Sequence, residues 1–428
     1  MNFDKININI PELNDYSLPD FMEVEQLFEN TEIKDAVSAL NDKLRKFAFP
    51  DLMGKKVAIT AGSRGIAQIT VILRTLVYFL KNECHAIPFI VPAMGSHGGA
   101  TSTGQKEYLA GYGITEETVG CPIISSMETV EIGKLASGVP VFCDKNAYMA
   151  DAIIVCNKIK PHTDFKADIE SGMCKMMAIG LGKQKGAAAL HREGFENFHD
   201  IIPQSAKMFI NTGKILCGLA IQENAYDQLM NLSLIEPCNI IEEEKKLLSN
   251  VKRTMARLLM NDIDLLIVDK IGKNISGEGL DPNVTGRPGS GIKEGFQAPR
   301  ITRIIALDLT DETHGNAAGI GLADFTTKRT VSKIQFSVTY TNAITAGLPK
   351  VGRIPIFFES DREGILAALH TCPKVVPEQA RIVRIRDTLS LSNILVSAAF
   401  IDEVKNNPSF RISGELKQLT FDEMGNLF

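Results

Sequence analysis

Lys55–Val91, KKVAITAGSRGIAQITVILRTLVYFLKNECHAIPFIV, is the stretch whose reading decides the fold. Lys55 to Thr60 reads as a strand, Ala61-Gly-Ser-Arg-Gly65 as a tight turn, Ile66 to Asn82 as a helix, and Ala86 to Val91 as the next strand. The pattern then repeats. Met94-Gly-Ser-His-Gly-Gly-Ala-Thr101 is a second glycine turn, and a helix is expected from near Thr103. Two strand–turn–helix units in succession imply right-handed crossovers and a parallel sheet.

Outward from this pair, apolar runs predict further strands over 152–157 and 215–222. The first fifty residues are acidic and weakly patterned, with room for a short strand and a helix. Residues 242–260, EEEKKLLSNVKRTMARLLM, repeat Leu247, Leu248, Val251, Met255, Leu258 and Leu259 at helical spacing, and the acidic start suits the helix dipole. This helix reads as the connector into a second domain, with strands expected over 264–269, 301–309, 354–358, 380–385 and 394–399. The polar, glycine-rich run 272–300 is long for a loop inside a compact domain, and loops of that length are usually functional or disordered. The fold expected is α/β: two α/β domains with mainly parallel sheets and an active site in the interdomain cleft. The expected boundaries are 1–262 for a cofactor-binding domain and 263–428 for a substrate-capping domain.

Composition narrows the function classes. At 44% hydrophobic and 23% charged residues, the 428-residue chain has a globular balance. Its formal net charge is −5, and no Lys/Arg cluster marks a nucleic-acid footprint. The opening MNFDKININIPELNDY lacks the order of a signal peptide, and the apolar run Ile69–Leu80 is interrupted by Arg74, so no membrane span is expected. Eight scattered cysteines without a CxxC pair fit a reducing, cytoplasmic setting.

Chemistry concentrates in 158–191, KIKPHTDFKADIESGMCKMMAIGLGKQKGAAALH, which follows the strand at 152–157. A polar, glycine-rich run leaving a buried strand is where open α/β sheets place ligands. His97 and His162 follow strand ends, and a pair of imidazoles can serve as opposed general bases. His85, His199 and His370 read as structural, and His314 as intermediate. Lys175 sits in an apolar, helix-like stretch; it is either a snorkelling surface lysine or an amine able to bond a cofactor. His191 stands alone, without a second ligand at metal spacing, so any metal it binds must bring its other ligands from outside the protein. Arg64 in the first turn can grip a carboxylate or phosphate. That turn lacks GxGxxG, which weakens a dinucleotide reading.

These segments resemble the lactate racemase family, enzymes that use a nickel-pincer nucleotide. The resemblance rests on SRG, GSHGGAT, KPHTDF, ESGMCKMMAIGLGK and GKNISGEGLDPNVTGR, and spans roughly Lys55 to beyond Arg329. It implies a racemase or epimerase of a 2-hydroxy acid. Lys175 would be the covalent tether of the cofactor, and His191 the one nickel ligand from the protein. His97 and His162 would be the two bases, and Arg64 would hold the substrate carboxylate. Gln297 and Arg300 resemble a Gln-x-x-Lys pair that meets substrate, and Lys273 competes for the same cationic role. Ala61 stands where the family usually has aspartate, and the segment between His162 and Lys175 is longer than in the lactate enzymes. The distinctive second-domain loop points to a substrate larger or more polar than lactate. The partners implied are that small 2-hydroxy acid and, transiently, the proteins that synthesise the cofactor; self-association is left open. Two other readings stand beside this one: a 2-hydroxy acid dehydrogenase using a diffusible NAD-type dinucleotide, and a cofactor-free binding protein.

Overall fold

A computed structural model describes Ile6, Ile8 and residues 10–427 of the chain. The chain forms two compact units, Glu29–Met255 and the residues from Ala256 onward joined by those up to Phe28. The second unit therefore takes in strand β1 (Phe21–Gln26), which the boundary expected near 262 had grouped with the residues that follow it.

In Glu29–Met255 the repeated units fold as expected. Strand β2 (Lys56–Ala61) leads through the first glycine turn into a helix at Ile69–Asn82, and β3 (Ile87–Pro92) leads through the second into a helix at Ser102–Ala110. A two-stranded antiparallel hairpin, β4 (Thr129–Lys134) and β5 (Pro140–Asp144), comes next. Then follow β6 (Ala152–Lys158), β7 (Ile215–Glu223) and β8 (Leu229–Ile235). The sheet order is β3-β2-β6-β7-β8, with β8 alone antiparallel.

Side chains alternate across this sheet, and both faces are covered. Val57 and Ile59 face the helices Ala36–Lys46 and Ile69–Asn82, whereas Ala58, Ile153 and Val155 face the helix Phe198–Asn211 and the segment around Met173–Leu190. Burial on both faces explains why these strands read as continuous apolar runs. The helix expected over 242–260 spans Ile240–Thr254. It stops because Met255 turns extended, and Leu258 and Met260 are buried as part of the other unit.

The second unit is built on β9 (Ile263–Val268), β10 (Ile301–Ala306), β11 (Phe325–Thr327), β12 (Ile356–Phe358), β13 (Ile382–Ile385), β14 (Asn393–Ser397) and β15 (Phe410–Ile412). The sheet order is β12-β11-β10-β9-β13-β14-β1-β15; the first five strands are parallel and the last three join antiparallel. Helix Asp361–His370 packs Ile365 and Leu369 over Leu265, Ile267 and Ile305. The long loop before β10 holds one short helix, Pro282–Thr285. Mixed sheets, mostly parallel and flanked by helices, make this an α/β fold. No helix among the described residues is long and apolar enough to cross a membrane.

Candidate active site

Because β2, β3 and β6 run parallel, their C-terminal ends lie along one edge of the sheet. The loops leaving that edge carry Arg64, His97 and His162, the position at which open α/β sheets bind ligands.

The first two loops are joined by side chains. Ser63 Oγ meets His97 Nδ1 at 2.5 Å, a bond that fixes the ring. Arg64, the next residue, makes no hydrogen bond or ion pair within the chain among the described residues, and its charge reaches Lys175. The His97 turn is tightly wound: Gly98, Gly99 and Ala100 all have positive φ. Gly98 admits no side chain, since a Cβ there would come within 2.6 Å of the Gly104 and Gln105 backbone.

The third loop is held from within. Glu170 is fully buried and accepts from the backbone N–H groups of His162 (2.6 Å) and Ala167 (3.1 Å). Lys166 and Lys252 offset its charge at 3.2 and 2.6 Å. His162 Nδ1 accepts the Asp164 N–H at 3.0 Å, so the neutral ring carries its proton on Nε2. Burial holds the His162 pKa well below the usual histidine range, with further depression from the charges of Lys175 and Lys166 and from His191.

Lys175 ends the short helix Met173–Lys175 and runs into a π-helical turn, Met176–Gly180. Such turns are rare and concentrate at functional sites. The Lys175 amine makes no hydrogen bond or ion pair among the described residues. Burial lowers its pKa to about 7, helped by the positive charges of Lys160 and Arg64. Behind it, the Cys174 N–H donates to Glu244 Oε2 at 2.9 Å. Glu244 is itself fully buried, and burial raises its pKa to about 7.

His191 closes the helix Lys183–His191. Its Nδ1 lies 2.7 Å from the Ala187 carbonyl oxygen, which can only accept; Nδ1 therefore carries the proton and Nε2 offers its lone pair. Burial lowers the His191 pKa, and Lys175 lowers it further, so the ring stays neutral near pH 7. Phe195 and Phe198 pack edge-on against it at 5.7 and 5.2 Å, and Phe195 also lies 5.8 Å from the His162 ring. Arg64, Lys160, His162, Lys175 and His191 thus form one electrostatically coupled group, with His97 attached through Ser63.

The other expected residues belong to the second unit. Lys273 follows the C-terminal end of β9 and donates its amine to the Gly277 carbonyl. Gln297 and Arg300 precede β10, at the opposite end of the same sheet, and both are exposed. Arg300 pairs with Asp262 at 2.7 Å. His85, His199 and His370 hold no place in the group; His370 bonds the Tyr16 hydroxyl at 2.7 Å and His199 the Glu196 carbonyl at 2.8 Å. His314 ends a short 3₁₀ turn with positive φ. Sequence reasoning missed Ser63, Glu170 and Lys252, because nothing local links them to the histidines they serve.

Residues 3–199 match the family of lactate racemase N-terminal domains. That stretch is similar to a lactate racemase N-terminal domain. All five residues expected to act on that side, Arg64, His97, His162, Lys175 and His191, lie inside the matched stretch. The lactate racemase apoprotein from Thermoanaerobacterium thermosaccharolyticum is similar in fold, with a TM-score of 0.52 at 16% identity; the match covers 87% of this chain and 99% of that one. A protein from Thermotoga maritima matches with a TM-score of 0.49 at 13% identity, over 74% of this chain and 81% of that one. No curated protein matches the chain. The lactate racemase-like domain therefore rests on the family match, and the α/β fold on the structural one.

Among the described residues, no three His, Cys, Asp or Glu side chains gather as a metal site. The group does fit a metal that arrives inside a larger cofactor. His191 supplies one neutral nitrogen donor, and Lys175 supplies one unpartnered amine that is partly neutral at pH 7.

Proposed function

We propose that the chain racemises or epimerises a 2-hydroxy acid with a lysine-tethered nickel-pincer nucleotide. The observation that carries this reading is the pairing of Lys175 and His191: an unpartnered amine with a pKa near 7, coupled to an imidazole whose Nε2 lone pair is free. An ordinary surface lysine has neither property. Lys175 would hold the nucleotide covalently and His191 Nε2 would be the nickel ligand from the protein. When bound, that group would accept the C2 hydride of the substrate and return it to either face.

The protein's own residues do the rest. Arg64 binds the substrate carboxylate, a bidentate contact that orients C2. His162, neutral and carrying its proton on Nε2, is set to donate a hydrogen bond to the substrate oxygen. For His162 to act as base, the proton must move to Nδ1 and the bond from the Asp164 N–H must break. His97 would be the other base, with its ring fixed through Nδ1 by the Ser63 hydroxyl. The larger substrate expected from the distinctive second-domain loop is part of the same proposal.

Enantiopure 2-hydroxy acids incubated in D₂O with cofactor-loaded protein test the reaction class. The expected outcome is loss of optical purity with no deuterium at C2, because the hydride never meets solvent. Deuterium at C2 would indicate proton abstraction instead. Dependence on added NAD would favour the dehydrogenase reading.

A further inference from the structure

Lys183 is the largest fully buried side chain outside the group described above, and it is costly to keep where it is. Its φ is +52°, a left-handed backbone that favours glycine, and its charge lies wholly out of solvent. Strain of this kind persists only where the surroundings impose it, and it is a reason to ask what the residue does. The amine donates to Gln105 Oε1 at 3.0 Å and to the Pro92 carbonyl, and it lies 3.2 Å from Asp144 Oδ2. The last contact is ionic, because Asp144 Oδ2 has no aligned hydrogen-bond partner. Gln105 is also fully buried, and its Nε2 donates to the carbonyls of Gly95 (2.9 Å) and His97 (3.2 Å).

These contacts tie four elements at one point. Pro92 ends β3, Gln105 lies in the helix Ser102–Ala110, Asp144 ends β5, and Lys183 opens the helix that finishes at His191. The two carbonyls held by Gln105 lie in the turn of His97. A further bond, Gly95 N–H to the Gly180 carbonyl at 3.2 Å, runs from the same turn to the π-helical segment after Lys175. One side of the junction thus carries a catalytic candidate and the other carries both residues assigned to the cofactor.

We propose that Gln105 and Lys183 are positioning residues that hold the His97 turn in register with the segment carrying Lys175 and His191. The catalytic meaning of this junction rests on the racemase reading, whereas the junction itself does not. Neither residue touches the reacting atoms; both act through the backbone on either side of His97. Ser63 fixes the ring and Gln105 fixes the carbonyls beside it, so losing Gln105 leaves the Ser63 bond with a mobile base.

The test reads the imidazole signals of histidine-labelled, cofactor-free protein by NMR, assigned from a His97→Gln sample. Gln105→Ala leaves the ion pair of Lys183 and Asp144 in place and removes both bonds to the turn. The double variant Lys183→Met with Asp144→Asn removes both buried charges together, because Lys183→Met alone would strand the carboxylate. In Gln105→Ala the His97 signal should shift and broaden while those of His162 and His191 stay put; in the double variant the His97 and His191 signals should both shift while that of His162 stays put. Unchanged His97 signals in folded protein would overturn the proposal. So would loss of all three sets together in both variants, which would make the junction a general structural support. Neither result depends on cofactor or substrate, so failure here is distinct from failure of the racemase reading.

Discussion

Lys175 and Glu244 are pushed off their ordinary ionisation in opposite directions by the same cause, burial, and both arrive at about 7. Their effects on stability have opposite signs. A lysine with a lowered folded pKa stabilises fully only at high pH, and that contribution is lost as pH falls through 7. A carboxyl with a raised folded pKa stabilises fully below its unfolded value, and that contribution is lost as pH rises through 7. Lys175→Met should therefore raise the Tm more at pH 6 than at pH 9, and Glu244→Gln more at pH 8 than at pH 5. Thermal melts of each variant against the parent across these values check both; a gain that does not vary with pH would contradict the assignment. His162 and His191, both lowered, add a loss of stability as pH falls below the usual histidine value, and His162→Gln should flatten that limb. At this scale the sequence was informative about isolated groups. Arg64, His97, His162, Lys175 and His191 each sit in a local context that marks them. Their partners are invisible for a physical reason: Ser63 and His97 are 34 residues apart and Gln105 and Lys183 are 78 apart, so only folding pairs them.

Among the elements, the His97 turn is tightly closed. Gly98→Ala must place a methyl against backbone, not against a side chain that could move, in a left-handed conformation. A loss of about 2–3 kcal/mol is expected from strain plus overlap. Urea unfolding measures it, and a change below about 0.5 kcal/mol, the level of a neutral surface substitution, would show that the turn can relax. Gly99 is a control: its φ is also positive, but a Cβ there meets nothing within 4 Å, so Gly99→Ala should cost less. The strand–turn–helix units of 55–110 were legible because their strands are apolar on both faces and their turns are marked by glycine. The hairpin of β4 and β5 was not, since β4 buries none of its residues fully and shows no strict alternation. Strand β11 was missed because three residues give no pattern. The end of the helix Ile240–Thr254 was overshot because its apolar spacing continues into residues that the other unit buries.

Across the whole molecule, the order of the chain is not the order of the sheets. Strand β1 lies between β14 and β15, about 370 residues away in sequence. Nothing local in FMEVEQ announces this, and only the two-faced burial of Phe21, Met22 and Val24 hints at a sheet interior. Removing residues through Gln26 should expose the edge of β14 and free the segment of β15, so limited proteolysis should cut near 410 faster than in the intact chain. An unchanged cleavage pattern would show that β15 is held by other contacts.

The lactate racemase-like N-terminal domain and the α/β fold together frame the central claim, that Lys175 and His191 jointly hold a nickel-bearing nucleotide. Intact mass and nickel content of the chain, produced alongside the enzymes that make the cofactor, test it most directly. The account predicts a covalent adduct with about one nickel per chain, as one tether and one protein ligand require. It predicts no adduct in Lys175→Ala, and an adduct with weakened nickel retention in His191→Ala. An unmodified, nickel-free chain under those conditions, or an adduct that survives Lys175→Ala, would contradict it.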